Sequence, residues 1–456
     1  MRFLKRLLLL SFLLTTACAA APDGHRIINF SALHATAPRV YGASGPLSAF
    51  ESRRILEHIG IDDPLQRHLA IEQAVAENPL VAGNSTWVLR DGAETFPAMF
   101  EAIRNAHDHV YLEYYIFEDV NVGRQHLGDL LIKKRRQGVD VAVIYDSYGS
   151  SETPSSLFDR LEHAGVKIVK YNPLNPLEAV AGYKPNDRDH RKILAVDGAV
   201  GIVGGVNLSK TYLPHAVGKS MGPPGTLPEH WRDTDLEIVG PAVAQLEQLF
   251  IKHWHQQGGP DLVTHPLPPL KAPGSELVRI IGSAPDRDLP RYYVTLLSAI
   301  RNAQKSIFLM TAYFVPTGEE KEDLIHAARR GVDVRLLVPK QSDSPMAIAA
   351  QHAAYYDLLE AGVKIYESDG QVLHSKTVVV DGVWSVIGSS NFDFRSAALN
   401  DEVDAVVLGT VTGQKMENMF MDDIAQGEPV DPKKWRERDL PDRIYESFSE
   451  WWAGML

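Results

Sequence analysis

The sequence predicts an α/β protein of two related halves that share one active site. Three observations carry that prediction. Helical and extended periodicities alternate through most of the chain. Three short segments also recur at nearly constant spacing. Ala102-Ile103-Arg104-Asn105-Ala106 returns as Ala299-Ile300-Arg301-Asn302-Ala303, Gly138-Val139-Asp140-Val141 as Gly331-Val332-Asp333-Val334, and Ala164-Gly165-Val166-Lys167-Ile168 as Ala361-Gly362-Val363-Lys364-Ile365, at offsets of 197, 193 and 197 residues. Finally, a polar pattern is doubled. His190, Lys192 and Asp197 precede Gly204-Gly205-Val206-Asn207, and His374, Lys376 and Asp381 precede Gly388-Ser389-Ser390-Asn391. One His-x-Lys-x4-Asp is a weak signal, but two with a small-residue turn and Asn at similar offsets indicate a duplicated ancestral half.

In chain order, residues 1–18 combine Arg2, Lys5 and Arg6 with an apolar run from Leu7 to Leu14 and Thr15-Thr16-Ala17 before Cys18. The run is too short to span a bilayer and reads as an export signal. A lone Cys after a small-residue site resembles a bacterial lipoprotein signal, which makes Cys18 the acylated first residue, although Thr15 stands where that signal usually has Leu. An ordinary cleaved signal with an incidental Cys is the alternative. Either way the mature protein is expected to leave the cytoplasm, in the first case as a membrane-anchored lipoprotein facing the periplasm or cell envelope. Residues 19–83 read as an N-terminal tether and extension, with a helix over 49–58.

The first half, 84–258, alternates helix and strand over 96–106, 110–117, 127–136, 139–145, 157–164 and 166–170. The second, 275–430, follows suit over 292–303, 307–314, 319–330, 332–338, 347–361 and 363–367. Such alternation predicts a mostly parallel sheet with helices in the outer layers. Between them, residues 259–274 hold Pro260, Pro266, Pro268, Pro269 and Pro273 and form the linker. An insertion at 212–229 with Gly222-Pro223-Pro224-Gly225 reads as a loop over the site. The last segment, 431–456, carries a helix from Pro441 with Ile444, Phe448, Trp451, Trp452 and Met455 on one side, suited to packing on the body.

Composition narrows the function. A chain of 456 residues exceeds one ordinary core, and 45% apolar with 23% charged residues describes a folded body. Removing the leader's three positive charges takes the formal charge from −12 to −15. That balance argues against nucleic acid as a partner. A single cysteine excludes an internal disulfide framework and a thiolate metal cage.

The motif supplies six candidate catalytic residues, His190, Lys192, Asp197, His374, Lys376 and Asp381. On a strand, residues two apart share a face, so each His and Lys point the same way. Asp197 and Asp381, at the far end before Gly, suit turn or bracing roles better than reaction. His plus Lys is a poor metal site and a good phosphate site, because ammonium binds the anion while imidazole attacks or transfers a proton. Gly204, Gly205, Gly388, Ser389 and Ser390 let donors approach phosphate oxygens, with Asn207 and Asn391 adding amides. Two histidines from two halves meet the needs of a two-step displacement at phosphorus. Each needs a carboxylate to fix its tautomer, and the strands after the motifs offer Asp233 and Glu402. His253 and His255 diverge on a helix and have no sequence-near third ligand. Lys133-Lys134-Arg135-Arg136 reads as a solvated helix end.

These residues resemble the phospholipase D superfamily, and within it the bacterial cardiolipin synthases. The doubled motif carries the first likeness. The second rests on Asn78-Pro79-Leu80, Tyr115-Ile116-Phe117, His190-Arg191-Lys192, Trp231-Arg232-Asp233-Thr234, Tyr313-Phe314-Val315-Pro316, Ser342-Asp343-Ser344-Pro345 and Ser390-Asn391-Phe392-Asp393 with Arg395-Ser396. It covers residues 78–435. Asp235 stands where the branch usually has His, and Asp401 where it has an aromatic residue. The resemblance implies two α/β/α domains, related by a pseudo-twofold axis, in a monomer that acts as a pseudo-dimer. It also implies a phosphatidylglycerol substrate at a membrane surface, transfer of phosphatidyl to a second phosphatidylglycerol with release of glycerol, and no metal or cofactor. His190 is then the usual nucleophile and His374 the acid and base. Transfer to water instead, giving phosphatidic acid, is the nearest alternative. A nuclease of the same superfamily and a non-enzymatic lipid-binding lipoprotein are more distant ones.

Overall fold

The computed structural model describes residues 22–42, 44–175, 184, 186–213, 231–263, 272–285 and 289–438. The leader with Cys18, nearly all of the 212–229 insertion, the middle of the linker and the helix expected from Pro441 lie outside the described residues.

The chain enters through three helices, α1 (Gly24–His34), α2 (Ala49–His58) and α3 (Asp63–Val75). Ser48 and Glu51 form a capping box on α2, and Asp62 caps α3. Although this region reads as a tether, residues from Gly24 onward are docked on the second half. Ile28, Ile71 and Val75 pack with Tyr293, Val294 and Leu297, and Leu65 and Leu69 with Leu296, Ile300 and Trp384. At the centre of the seam, fully buried Glu72 accepts from Arg279 Nη1 at 2.5 Å and from Trp384 Nε1 at 3.0 Å.

The first half runs β1 (Leu80–Arg90), α4 (Asp91–Asn105), β2 (His109–Tyr114), α5 (Leu127–Arg136), β3 (Asp140–Asp146), α6 (Ser155–His163), β4 (Lys167–Tyr171), β5 (Arg188–Asp189), β6 (Lys192–Val196), β7 (Val200–Gly204), β8 (Trp231–Arg232), β9 (Thr234–Val239) and α7 (Val243–Gln256). The second repeats the plan as β10 (Glu276–Ser283), α8 (Arg291–Asn302), β11 (Ser306–Met310), α9 (Gly318–Arg329), β12 (Asp333–Pro339), α10 (Pro345–Glu360), β13 (Lys364–Ser368), β14 (Val372–Leu373), β15 (Thr377–Val380), β16 (Trp384–Gly388), α11 (Phe394–Ala398), β17 (Asn400–Leu408) and α12 (Thr410–Ile424).

Each half folds its strands into one sheet, ordered β4-β3-β2-β6-β7-β9-β1 in the first and β13-β12-β11-β15-β16-β17-β10 in the second. Pairing of β1 with β10 joins them. The sheets are mixed, not mostly parallel as the alternation predicts. Within these two strand orders only β2-β3-β4 and β11-β12-β13, the segments linked by helices, pair in parallel. The motif strands β6 and β15 return through tight hairpins, which impose antiparallel pairing.

Every residue of β6 is buried, because both of its faces are covered. Leu194 and Val196 pack under α4, α5 and α6. Ile193 and Ala195 turn the other way and meet Val379, Val403, Ala405 and Val407 of the second half. The two halves therefore share one inner core, each with its own helices outside. The predicted strands at 110–117 and 307–314 stop early, at Tyr114 and Met310, and the chain beyond them runs into a cleft lined by Tyr115 and Tyr313.

Because Glu72→Ala strips Arg279 of its buried partner, it should lower the unfolding free energy by about 3–5 kcal/mol. Urea denaturation checks this, and an unchanged midpoint would show that the extension adds nothing to the body.

Candidate active site

Two short ladders between the halves build the site. In one, β5 lies parallel to the start of β17, pairing Arg188 with Asn400 and Asp189 with Asp401. The next residue, His190, bonds through its N–H to Asp401 O at 2.9 Å. In the other, β8 lies parallel to β14, pairing Trp231 with Val372 and Arg232 with Leu373. His374 then bonds through its N–H to Arg232 O at 2.7 Å. Each ladder ends with a histidine on one half and an acid on the other.

The side chains pair accordingly. His190 Nδ1 lies 3.0 Å from Glu402 Oε2, and His374 Nδ1 lies 2.6 Å from Asp233 Oδ2. The carboxylates named from the sequence are the ones present, but each serves the histidine of the opposite half. Sequence order suggests partners within a half, whereas register between halves makes the exchange.

The pairs are chemically unequal. Glu402 also accepts from Ser389 Oγ at 2.5 Å, Ser396 Oγ at 2.9 Å and Asn400 Nδ2 at 3.2 Å. Burial raises its pKa, but the His190 ring, Lys192 and the Ser389 hydroxyl outweigh that and hold it at about 2. Asp233 takes one further N–H, from Thr234 at 2.8 Å, and burial pushes it up to about 6 against Lys376. Around His374, Lys376 Nζ at 2.8 Å and Tyr212 OH at 3.1 Å crowd the nitrogen that Asp233 holds. Burial and then Lys376 drive the His374 pKa well down, and burial also lowers that of His190.

Lys192 and Lys376 are buried beside their histidines, and Lys192 lies 5.6 Å from the Tyr115 ring centre. Burial depresses them to about 7 and about 8. Asp233 and Glu402 act against that depression on both lysines, and Lys192 Nζ donates to His190 O at 2.6 Å.

The small residues after each motif do a different task from the one expected. A Cβ on Gly205 would sit 2.0 Å from Asp233 Oδ1, and one on Gly388 would sit 1.9 Å from Asp404 Oδ1. The glycines thus make room for carboxylates, not for phosphate. Ser390 Oγ is occupied in the same way, donating to Asp404 Oδ2 at 2.6 Å, which removes it from the phosphate-binding set. Asp235 and Asp404, two residues beyond the histidine partners, brace these loops through Val206 N and Ser390 N. Burial raises Asp235 to about 8 and Asp404 well above the usual carboxylate range. Asn207 and Asn391 do line the cleft, and Asn391 Oδ1 has no hydrogen-bond partner among the described residues.

Asp197 and Asp381 are not reactants. Each sits past the far end of its motif strand at positive φ, 52° and 55°. Asp197 accepts from His107, Asp108 and His109 N–H at 2.7–2.9 Å, and Asp381 from Gln304, Lys305 and Ser306 N–H at 2.7–2.9 Å. They anchor the start of β2 and β11.

Beneath His190 lies a cluster the sequence conceals. Arg191 bonds Glu113 Oε1 at 3.1 Å and Asp401 Oδ1 at 2.9 Å, tying the halves together. His253 Nδ1 shares Glu113 Oε1 at 2.8 Å, and Asp189 lies beside them. His253 therefore does meet two carboxylates, contrary to the expectation from spacing, while exposed His255 points elsewhere. The Arg191 guanidinium occupies the position of a counter-ion there, so the cluster reads as a buried ion-pair network.

Both histidines and both asparagines open into one cleft of about 580 Å³, with Tyr115, Tyr148, Trp231 and Tyr313 in its walls. The arrangement brings two imidazoles to one cleft, with a lysine buried beside each.

Comparison with known proteins agrees with this geometry. A family model described as cardiolipin synthase, PLD-like domain, matches residues 99–254 and 296–424. The cardiolipin synthase of Geobacillus thermodenitrificans (strain NG80-2) is 37% identical over 395 residues, which is 85% of this chain and 75% of the relative. The probable cardiolipin synthase YwiE of Bacillus subtilis (strain 168) is 31% identical over 422 residues, 92% of this chain and 81% of the relative. A crystal structure of phosphatidylserine synthase from Haemophilus influenzae Rd KW20 shares the fold, with a TM-score of 0.60 at 16% identity over 84% of this chain and 96% of that one. Matched in both halves by the family model and over most of its length by these relatives, the chain belongs to the cardiolipin synthase family of phospholipase D-like proteins.

Proposed function

We propose that this chain is a phosphatidyltransferase that makes cardiolipin from two phosphatidylglycerol molecules and releases glycerol. The observation that carries the reading is the crossed pair of histidine–carboxylate contacts, His190–Glu402 and His374–Asp233, opening into one cleft.

Glu402 is the firmly ionised member, so it holds the Nδ1 proton of His190 and leaves Nε2 as the nucleophile. In the first step a bond forms from His190 Nε2 to phosphorus and the bond from phosphorus to glycerol oxygen breaks. His374, whose depressed pKa rises when a phosphate anion offsets the charge of Lys376 and Lys192, gives its proton to the departing oxygen. In the second, the hydroxyl of another phosphatidylglycerol returns a proton to His374 and attacks phosphorus, and the P–N bond breaks. Lys192 and Lys376 neutralise the non-bridging oxygens throughout. A single chain supplies both halves of the site and acts as a monomeric pseudo-dimer. The exposed side chains Tyr148 and Leu174 at the cleft suit a lipid surface, and acylated Cys18 would hold the enzyme there.

Mass spectrometry of products from purified protein and phosphatidylglycerol vesicles tests the reaction. Cardiolipin with an equal amount of glycerol is expected, and phosphatidic acid without cardiolipin would make water the true acceptor. His190→Ala should cost at least about 10⁴-fold in turnover, because it removes the imidazole assigned as nucleophile.

Lysines depressed to about 7 and about 8 bind anion only while protonated. Thus kcat/KM, which reports the free enzyme, should fall as pH rises through 7 to 8. A flat profile to higher pH would show that the lysine charge is not needed.

Cys18→Ser should abolish lipid modification and shift the protein from the membrane to the soluble fraction. Unchanged fractionation would refute the lipoprotein reading.

A further inference from the structure

The pseudo-twofold symmetry breaks at the walls of the cleft. Two positions before His190 stands Arg188, and the same place before His374 holds Val372. Four positions after Asn391 stands Arg395, and four after Asn207 stands Thr211. Arg188 and Arg395 both line the cleft, and Arg395 is steadied by Asn186 through O at 3.0 Å and Oδ1 at 3.2 Å. The His190 side thus carries two guanidinium groups, of which Arg188 also lies 3.6 Å from Asp146 Oδ1.

The His374 side has the opposite character. Asp343 lines the cleft there and its negative charge acts on His374. Its half-one equivalent, 193 residues earlier, is Ser150. Tyr313 OH donates to Asp343 Oδ1 at 2.5 Å, and Ser342 Oγ donates to the same oxygen at 2.9 Å. Both bonds fall on one oxygen, which fixes the carboxylate and leaves Oδ2 without a hydrogen-bond partner among the described residues. The other acid in the wall, Asp393, is committed to capping α11 through Ser396 N at 2.8 Å.

We propose that Asp343, positioned by Tyr313, selects the alcohol that leaves and enters at His374. The inference rests on the phosphatidyl-transfer reading with His190 as nucleophile. In-line displacement then puts the phosphatidyl group toward the arginines and both alcohols, the departing and the incoming, on the His374 side. In phosphatidylglycerol the carbon next to the reacting CH2–O carries a second hydroxyl. Asp343 is exposed, and its Oδ2 accepts a charge-assisted hydrogen bond from that hydroxyl, a contact that an alcohol lacking it forfeits. An amino alcohol such as ethanolamine places an ammonium on the equivalent carbon and shares the same recognition chemistry.

The test is phosphatidyl transfer from phosphatidylglycerol vesicles to added isotopically labelled glycerol, whose product mass spectrometry tells from the donor lipid, or to 1-propanol, which lacks the hydroxyl on the next carbon. The wild type should favour glycerol, and Asp343→Ala should reduce the glycerol-to-propanol ratio of kcat/KM by about tenfold. Tyr313→Phe, which only frees the carboxylate, should move the ratio the same way by less. Circular dichroism melting confirms folding, and Asp343→Asn serves if the alanine variant melts early. An unchanged ratio, or equal losses with both alcohols, overturns the proposal. A wild type that yields only phosphatidic acid refutes the transfer reading itself, and the proposal falls with it. Repeating the series with phosphatidylethanolamine vesicles separates the two ligands: a larger loss there keeps the subsite and assigns it to an ammonium.

Discussion

The structure depends on register between its two halves. Four residue pairs in two short parallel ladders, Arg188 with Asn400, Asp189 with Asp401, Trp231 with Val372 and Arg232 with Leu373, fix where each chain segment ends against the other. The next residue in each strand is a histidine or its carboxylate. Period-two geometry means that a slip by one residue would turn every side chain to the wrong face. The shared inner core, with Ile193 and Ala195 against Val403, Ala405 and Val407, resists that slip. Arg191 adds a polar lock, since it bonds Glu113 of one half and Asp401 of the other while buried from water. Neither half holds a complete histidine–carboxylate pair alone, which explains why both copies of the motif coexist in one chain.

Symmetry supplies two equal sites, and small substitutions make them unequal. Where the first half has Gly205, the second has Ser389, whose hydroxyl reaches Glu402. Ser396 and Asn400 add donors to the same carboxylate, while Asp233 gains only one backbone N–H beyond its histidine. Burial raises both acids; the His190 ring, Lys192 and the Ser389 hydroxyl outweigh it at Glu402 and hold it at about 2, while Lys376 and the Thr234 N–H offset it only in part at Asp233, which rises to about 6. Two carboxylates in unlike surroundings are how a symmetric scaffold assigns unlike roles to identical histidines.

Around this centre the scaffold is stiff where chemistry requires it. Asp197 and Asp381 hold the strands adjoining the motif strands by three backbone N–H bonds each. Asp235 and Asp404 support the loops that present Asn207 and Asn391. The N-terminal helices cover α8, whose Tyr293, Val294 and Leu297 would otherwise face water. Rotamers locked from behind keep two imidazoles in place without a ligand to organise them.

The sequence by itself determined the duplication, the six motif residues, both histidine-orienting acids and most helices and strands to within a residue or two. These are local or repeated features: spacing of two along a strand, apolar periodicity, and similarity between halves survive in one dimension. What only the tertiary structure decided depends on segments far apart in the chain. The exchange of Glu402 and Asp233 between histidines follows from ladders that join residues 212 and 141 positions apart. The reassignment of Ser390 and the glycines from phosphate to carboxylates required seeing what stands opposite them. The antiparallel motif strands and the meeting of His253 with Glu113 and Asp189 were hidden for the same reason. Hydrogen bonding and burial are properties of neighbours in space, and no spacing along the chain records which neighbours those are.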